Sequence, residues 1–339
     1  MLAVDEINAE GGITIGGEKY LIDLITYDTR SIPEEGVSAA HKLVEVDKVK
    51  IITGCASSSI TLAWLPYVKD QGDIIVFCAG AGAPKITDEY GGDVVFRLRA
   101  VAYLQGRACA HYAVEQGWTR IAVLNSRDDY GEENARGMVE GAEEYGGQVV
   151  AQEWYTIGDL DYSSQLTKIK NANPDVVLVG HNPIDVALIL KQMAELGLKA
   201  AGIKYLCSAS GSAEFFIENA GAENCEGGWV YQLESSGLFY LLSHEDPYAT
   251  EFAEKFRKKF GAEPMEGCVY GYDMMKLIAL TLEKAGTITD IGKIKNTLFE
   301  LTPEDVEGRL IAKYNPVDGK LFDSHGQARI IMVIQQMQN

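Results

Sequence analysis

VKIITGCASSSITLAWLPYVKDQ, residues 49 to 71, is the stretch from which the fold is read. A short apolar run (50 to 53) gives way to a turn carrying Ser57, Ser58, Ser59 and then Thr61, and the turn opens a segment of helical period. An apolar run bounded by turn residues is the signature of a strand buried on both faces, and a helix straight after it is the step that builds a parallel sheet. The same step recurs along the chain. Strands are expected at YLIDLITYD (20 to 28), KIIT (50 to 53), DIIVF (73 to 77), RIAVLN (120 to 125), QVVAQEWY (148 to 155), DVVLVG (175 to 180), IKYLC (203 to 207), GGWVYQ (227 to 232) and ARIIMVIQQ (328 to 336). Helical stretches such as EEGVSAAHKLVEV, YGEENARGMVEGAEEYG and IDVALILKQMAELGL lie between them. The pattern predicts an α/β protein with two doubly wound parallel-sheet lobes.

A chain of 339 residues has room for about two domains. One boundary is expected within VVFRLRAVAYLQG (94 to 106), where a strand passes through Arg97 and Arg99 into a fresh helix, and another near QLESSGLFYL (232 to 241). Lysine and arginine number 30 against 49 acids, a formal net charge of −19. Such a surface repels phosphate and anionic lipid, so nucleic acid and membrane surfaces are poor partners. No stretch approaches the ~20 apolar residues of a membrane span.

The six cysteines, Cys55, Cys78, Cys109, Cys207, Cys225 and Cys268, form no CxxC pair and sit near no histidine at metal-ligand spacing, so no metal is expected. Cys55 and Cys78 each fall where a strand ends. They pair if those strands are neighbours, or pack as small buried apolar residues.

In open α/β sheets ligands sit beyond the carboxyl ends of the strands. The loops there read TGCASSS (53 to 59), CAGAGAPKIT (78 to 87), NSRDDYGEE (125 to 133), GHNPID (180 to 185) and CSASGSAE (207 to 214). The serine run brings hydroxyls and the N–H groups of a helix start together, which suits an anion, although one serine as an ordinary N-cap explains part of it. CAGAGAPKIT has Gly80 and Gly82 but lacks the third glycine of a dinucleotide loop, and no Gly-Lys-Ser/Thr phosphate loop occurs, so no cofactor is expected. A hydrolase set of Ser58, His181 and Asp129 is conceivable, since His181 alone of the five histidines lies in a strand-end loop, but the Gly-x-Ser-x-Gly elbow is absent. Tyr130 starts a helix at the same kind of edge, where an amphipathic ring faces both ligand and water.

Taken in order, LAVDEINAEGGI, AAHKLVEVDKVKIITG, SSSITLA, PKIT, RIAVLNSRDDYGEENARG, YSSQLTKIKNANPDVVLVG, ILKQMAELGL and YGYDMMKLIALTLEKAG resemble the type I periplasmic solute-binding proteins, specifically the branched-chain amino acid (Leu/Ile/Val) binding family of ABC transporters. The resemblance implies two lobes joined by three crossovers, residues 1–100 with 233–318 and residues 101–232 with 319–339. They would close on a small carboxylate or amino acid and deliver it to a membrane permease. A monomeric, extracytoplasmic protein without catalytic groups is implied. By the same resemblance Ser57, Ser58 and Ser59, with Gly80, Ala81 and Gly82, hold the ligand's carboxylate, and Tyr130 closes over it; Tyr103, His181, Asn182, Ala209 and Tyr272 complete the expected site. A sensor domain of the same fold is the alternative binding role, but neither a helix-turn-helix nor a long linker is visible.

Three departures from the family pattern stand out. Gly82 replaces a threonine in the second loop, and Ala209 stands where amino acid binders place the acid that meets the ligand's ammonium. A buried ammonium without a counter-charge costs several kcal/mol. Either Asp128, Asp129, Asp185, Glu214 or Asp273 substitutes, or the ligand is an aromatic or aliphatic carboxylate, for which Tyr103, Tyr130, Trp154, Tyr155 and Tyr272 are at hand. Thirdly, Met1 falls within what would be the family's first helix, so the usual first strand, its loop and any export signal are expected to lie outside this sequence.

Overall fold

A computed structural model describes residues 1–337 apart from Cys55, His181 and Ser210. The chain forms two compact units. One comprises Met1–Ala100 with Ser236–Ile331, the other Val101–Ser235 with Met332–Asn339.

The first unit is built on a parallel three-stranded sheet, β1 (Ile51–Thr53), β2 (Ile75–Cys78) and β3 (Val95–Arg97), in that spatial order. Ahead of it come helices α1 (Leu2–Ala9) and α2 (Pro33–His41); α3 (Ser58–Gln71) joins β1 to β2. The sequence punctuates α3 at both ends. Ser57 is its N-cap, its hydroxyl accepting from Ile60 N at 3.4 Å, and Gly72 ends it at φ +74°, a left-handed conformation that costs glycine nothing. Ile52 and Val76 pack with Trp64, Leu65 and Val68 in one apolar cluster, whereas Phe77 and Phe96 lie on the other face by strand alternation, their rings 6.4 Å apart, and Phe96 meets Phe299 and Phe322.

The second unit carries a six-stranded sheet: β4 (Arg120–Ser126), β5 (Gln148–Tyr155), β6 (Val176–Val179), β7 (Lys204–Cys207), β8 (Val230–Glu234) and β9 (Val333–Gln336), ordered β9-β8-β7-β6-β4-β5. All pairs are parallel except β8 with β9. The apolar run VVLV in β6 shows why continuous hydrophobicity marks such strands. Val177 and Val179 enter the cluster holding Ile189 and Leu190, while Val176 and Leu178 enter the opposite one, with Ala110 and Met138. Helices α4 (Ala102–Glu115) and α5 (Asp129–Glu144) cross so closely that a Cβ on Gly106 would lie 2.1 Å from Asn134 O, and one on Gly137 2.0 Å from Tyr103 O. Helix α6 (Pro183–Glu195) follows β6. In the first unit a long helix, α7 (Glu266–Ala285), packs along its length.

Two expected strands read differently in three dimensions. Of residues 20 to 28, only Tyr20 lies in a strand, paired with Ile13 in a small antiparallel hairpin; residues 21–29 lie outside any sheet. A strand needs a main-chain neighbour, and here the side chain of Asn8 takes that place at Ile22, accepting from its N at 2.8 Å and donating to its O at 2.9 Å. The run 328 to 336 is two strands: Arg329–Ile330 pairs with Tyr314–Asn315 in the first unit, and β9 pairs with β8 in the second. The last chain crossing accordingly lies at 331, not 318. Residues 319–331 are held in the first unit because Phe322 packs edge-on against Phe96 at 5.3 Å and Gln327 binds Arg97. No helix among the described residues is long and apolar enough to cross a membrane.

Candidate functional site

The serine loop begins where β1 ends. Ser57 caps α3, and Thr61 donates its hydroxyl to Ser57 O at 2.8 Å, so these two shape the helix start. Ser58, only 2% exposed, does something else: its Oγ accepts from Gly82 N at 3.1 Å and Ala83 N at 3.0 Å, pinning the glycine loop after β2 against the first turn of α3. Ser59 is half-buried on the following position. The first N–H groups of a helix have no intrahelical acceptor and carry the positive end of its dipole, which favours an anion there.

The glycine loop is also tied by the arginines of FRLR. Fully buried Arg97 donates to Ala83 O at 2.7 Å, Thr87 Oγ1 at 2.7 Å and Gln327 Oε1 at 2.5 Å. Burial lowers its pKa to about 10, which leaves it charged at neutral pH. Arg99 donates to Gly80 O and stands 6.0 Å from the Tyr270 ring. Sequence reading treated these arginines as boundary marks; a charged residue inside an apolar strand was the signal that β3 organises the loop beside it.

Three expectations change here. The N–H of Gly82, expected to serve the ligand in place of a threonine, is given to Ser58. Ser58 itself is buried with its oxygen accepting twice, which is unsuited to a nucleophile. Tyr272 does not join these loops. Its hydroxyl donates to Glu6 at 2.5 Å, and Lys255 and Lys276 reach the same carboxylate at 3.1 and 3.0 Å. Burial pushes the Glu6 carboxyl up, but those hydrogen bonds outweigh it and hold it below its ordinary value. Two residues along a helix is about 200° of rotation, which is why Tyr270 faces Arg99 and Tyr272 faces α1.

In the second unit the ends of β4, β6 and β7 meet over a buried polar network. Asn125 donates to Asn134 Oδ1 at 2.9 Å, Ser208 donates to the same oxygen at 2.9 Å, and Asn134 donates to Ala102 O at 3.0 Å. Gly180 lies against it, with room for no side chain: a Cβ would sit 2.2 Å from Asn134 Oδ1. Tyr130, 6% exposed, donates to Gln105 Oε1 at 2.9 Å. Asp128 caps α5, accepting from Gly131 N at 3.0 Å and Ser126 Oγ at 2.6 Å.

Other expected residues are drawn into local structure. Asn182 caps α6, accepting from Asp185 N at 3.0 Å and donating to Asp185 Oδ2 at 2.6 Å. Tyr103 lies on the α4–α5 surface, its hydroxyl donating to Glu140 at 2.7 Å and the Arg136 guanidinium 4.3 Å from its ring. His181 and Cys55 lie outside the described residues, so the hydrolase set and the Cys55–Cys78 pairing are not described either. Cys78 is buried, with Sγ donating to Ala81 O at 3.4 Å.

Of the acids considered as partners for an ammonium, Asp185 accepts from Gly158 N and Tyr162 OH as well as Asn182, and Asp273 accepts from Ile311 N and Ala312 N, each at 2.9 Å. Both are committed to structure. Ala209 is 7% exposed. β8 pairs with β7 in the register Val230↔Tyr205 and Gln232↔Cys207; Glu234 is the last residue of β8, and Ala209 lies in the loop that follows β7. Glu234 is fully buried. Sequence reading did not weigh it, because which strand lies beside β7 is set by sheet order. Among the described residues no group of three or more His, Cys, Asp or Glu is arranged to hold a metal ion.

Residues 1–327 match the family described as periplasmic binding protein. The Leu/Ile/Val/Thr-binding protein of Salmonella typhimurium is 31% identical over 226 residues, 66% of this chain and 59% of that protein. The match thus spans about six-tenths of the relative's length. A leucine-binding protein from Thermotoga maritima superposes with a TM-score of 0.80 at 25% identity, over 100% of this chain and 90% of that one. The solute-binding protein of an ABC transporter from Rhodopseudomonas palustris, in complex with 3,4-dihydroxybenzoic acid, has a TM-score of 0.81 at 22% identity, over 99% and 86%. The chain belongs to the periplasmic binding protein family and has the type I fold of the Leu/Ile/Val-binding proteins.

Proposed function

We propose that this protein is the non-catalytic, extracytoplasmic solute receptor of an ABC uptake transporter, and that it binds a small carboxylate through the loops at Ser57–Ser59 and Gly80–Gly82. The observation that carries the reading is the Ser58 clamp. One buried hydroxyl and two buried or half-buried arginines fix two strand-end loops around the start of α3, so the donors meeting an anion are held before it arrives. Relatives named for leucine, isoleucine and valine support an amino acid ligand, and the fold-level neighbour with 3,4-dihydroxybenzoic acid supports an aromatic carboxylate. A permease of the same transporter is the partner, and the protein works as a monomer.

The test is native mass spectrometry of the purified protein, followed by a thermal-shift screen of leucine, isoleucine and valine against benzoate, 4-hydroxybenzoate and 4-methylpentanoate. A binder recovered unaltered after incubation, with a smaller radius of gyration by X-ray scattering, supports the reading. Conversion of the binder, or no shift from any carboxylate, counts against it.

A further inference from the structure

Arg97, the last residue of β3, is fully buried and charged. Arginine is almost never fully buried unless another charge pairs with it. Here every hydrogen bond it makes goes to a neutral oxygen: Gln327 Oε1 at 2.5 Å, Ala83 O at 2.7 Å, Thr87 Oγ1 at 2.7 Å and, more loosely, Ala81 O at 3.4 Å. Asp88 and Asp323 act on it only through space; Asp88 is exposed, and Asp323 Oδ1 accepts from His325 N at 2.9 Å and Gln327 N at 3.0 Å. The other strong charge near it is a second cation, Arg99, whose guanidinium holds Gly80 O. Positive charge is thus gathered under the glycine loop.

The hydrogen bonds of Arg97 lead from there to the start of α3. Ala81 O belongs to the peptide unit that carries the Gly82 N–H, and this N–H donates to Ser58 Oγ at 3.1 Å. Ala83 accepts from Arg97 through its O, and its N donates to the same Ser58 oxygen at 3.0 Å. Chains of hydrogen bonds polarise one another, so a cation at one end strengthens the donor at the other. A serine hydroxyl has one O–H beside its two lone pairs. The two main-chain donors use the lone pairs of Ser58, and among the described residues its O–H donates to no acceptor.

We infer that Arg97 is the remote counter-charge of the carboxylate bound at the start of α3: a positioning residue that acts through the Ala81–Gly82 peptide and the Ser58 hydroxyl without touching the ligand, and makes the site select a carboxylate over the neutral amide of the same skeleton. The inference rests on the reading of these loops as the carboxylate site. A buried cation acts at low dielectric and escapes screening by salt, and its field adds to that of the helix start. The ligand then supplies the negative charge that no side chain bonded to Arg97 provides.

The experiment gives Arg97 that charge from within. Gln327→Glu keeps the side-chain shape and sets a carboxylate on the guanidinium, but gives up the Nε2 bonds to Arg99 O and Ala328 O. Gln327→Met gives up the same bonds without adding charge, and Thr87→Asp adds charge with the Gln327 bonds kept. Calorimetry of leucine against leucinamide and of benzoate against benzamide is run on the parent and all three variants, beside urea unfolding. The two acidic variants should bind the carboxylates about tenfold more weakly. Gln327→Met should stay within about twofold of the parent, and amide binding within about twofold in every variant, the span of an ordinary surface change. Gln327→Glu should also be more stable than Gln327→Met, because it neutralises a buried charge; a purely structural role would lower affinity and stability together. Equal losses in Gln327→Glu and Gln327→Met, undiminished carboxylate affinity in the acidic variants, or failure of both acidic variants to fold where Gln327→Met folds overturns the inference alone. A parent protein that binds no carboxylate overturns the receptor reading and this inference with it.

Discussion

Replacing Ser58 by alanine separates the two roles a serine in this loop could have. Its Oγ is the acceptor for Gly82 N at 3.1 Å and Ala83 N at 3.0 Å, and the residue is 2% exposed. An unsatisfied buried donor costs roughly 1–3 kcal/mol. Two donors sharing one acceptor, in a loop where Gly80 is half-exposed and water gains partial access, put the loss at about 2–3 kcal/mol of unfolding free energy. Sequence alone placed Ser58 among ligand donors and implied little effect on stability; the buried double acceptor implies the reverse order of effects. Urea unfolding of the Ser58→Ala and Ser59→Ala proteins, beside calorimetric affinities for the ligand found by screening, makes the comparison. Ser58→Ala should lower both stability and affinity. Ser59→Ala should weaken binding by about 1.5–3 kcal/mol, the range for hydrogen bonds to charged groups, with stability nearly unchanged. An unfolding free energy for Ser58→Ala within about 0.5 kcal/mol of the parent, the usual span of surface changes, would refute the clamp.

Glu234→Gln should weaken binding of leucine about 10- to 100-fold while leaving 4-methylpentanoate almost unaffected, if Glu234 is the acid that stands in at Ala209; equal losses for the two ligands in calorimetry would remove it from that role. Gly180→Ala should destabilise the second unit by about 1–3 kcal/mol, since the new methyl group meets Asn125 and Asn134 in a filled network; thermal unfolding of the variant checks this. Burial raises the Asp273 carboxyl to about 7, so the folded protein binds a proton there that the unfolded chain has released. Stability should therefore fall as pH rises from about 4 to 7, by at most about 1.4 kcal/mol per pH unit from this group. Asp273→Asn should remove that part of the slope, at the cost of a poorer match to the N–H groups of Ile311 and Ala312, and unfolding at several pH values in parent and variant measures it.

By itself the sequence determined the fold class. Runs such as VVLV and IIVF are apolar at every position because both faces of their strands are covered, and that requirement is local enough to read from composition and length. The serine run was legible because a cap and a cluster of hydroxyls at a strand end are written in adjacent residues. What each residue does there was not legible. Ser58 and Ser59 are neighbours of the same type, yet one faces the glycine loop because β1 and β2 are adjacent strands, a fact of sheet order. Tyr103 and Tyr272 looked like ligand aromatics, but helix rotation and the close α4–α5 crossing turn them to Glu140 and Glu6. Residues 21–28 read as a strand and lie outside any sheet, because a strand exists only where another backbone pairs with it. Glu234 ends β8 and Ala209 follows β7, neighbouring strands whose parallel register joins residues 25 apart in sequence. Spacing along the chain carries periodicity and capping; which side chains meet across strands and helices is decided only when the sheet order and the helix faces are fixed, because those contacts join residues whose separation in sequence has no period.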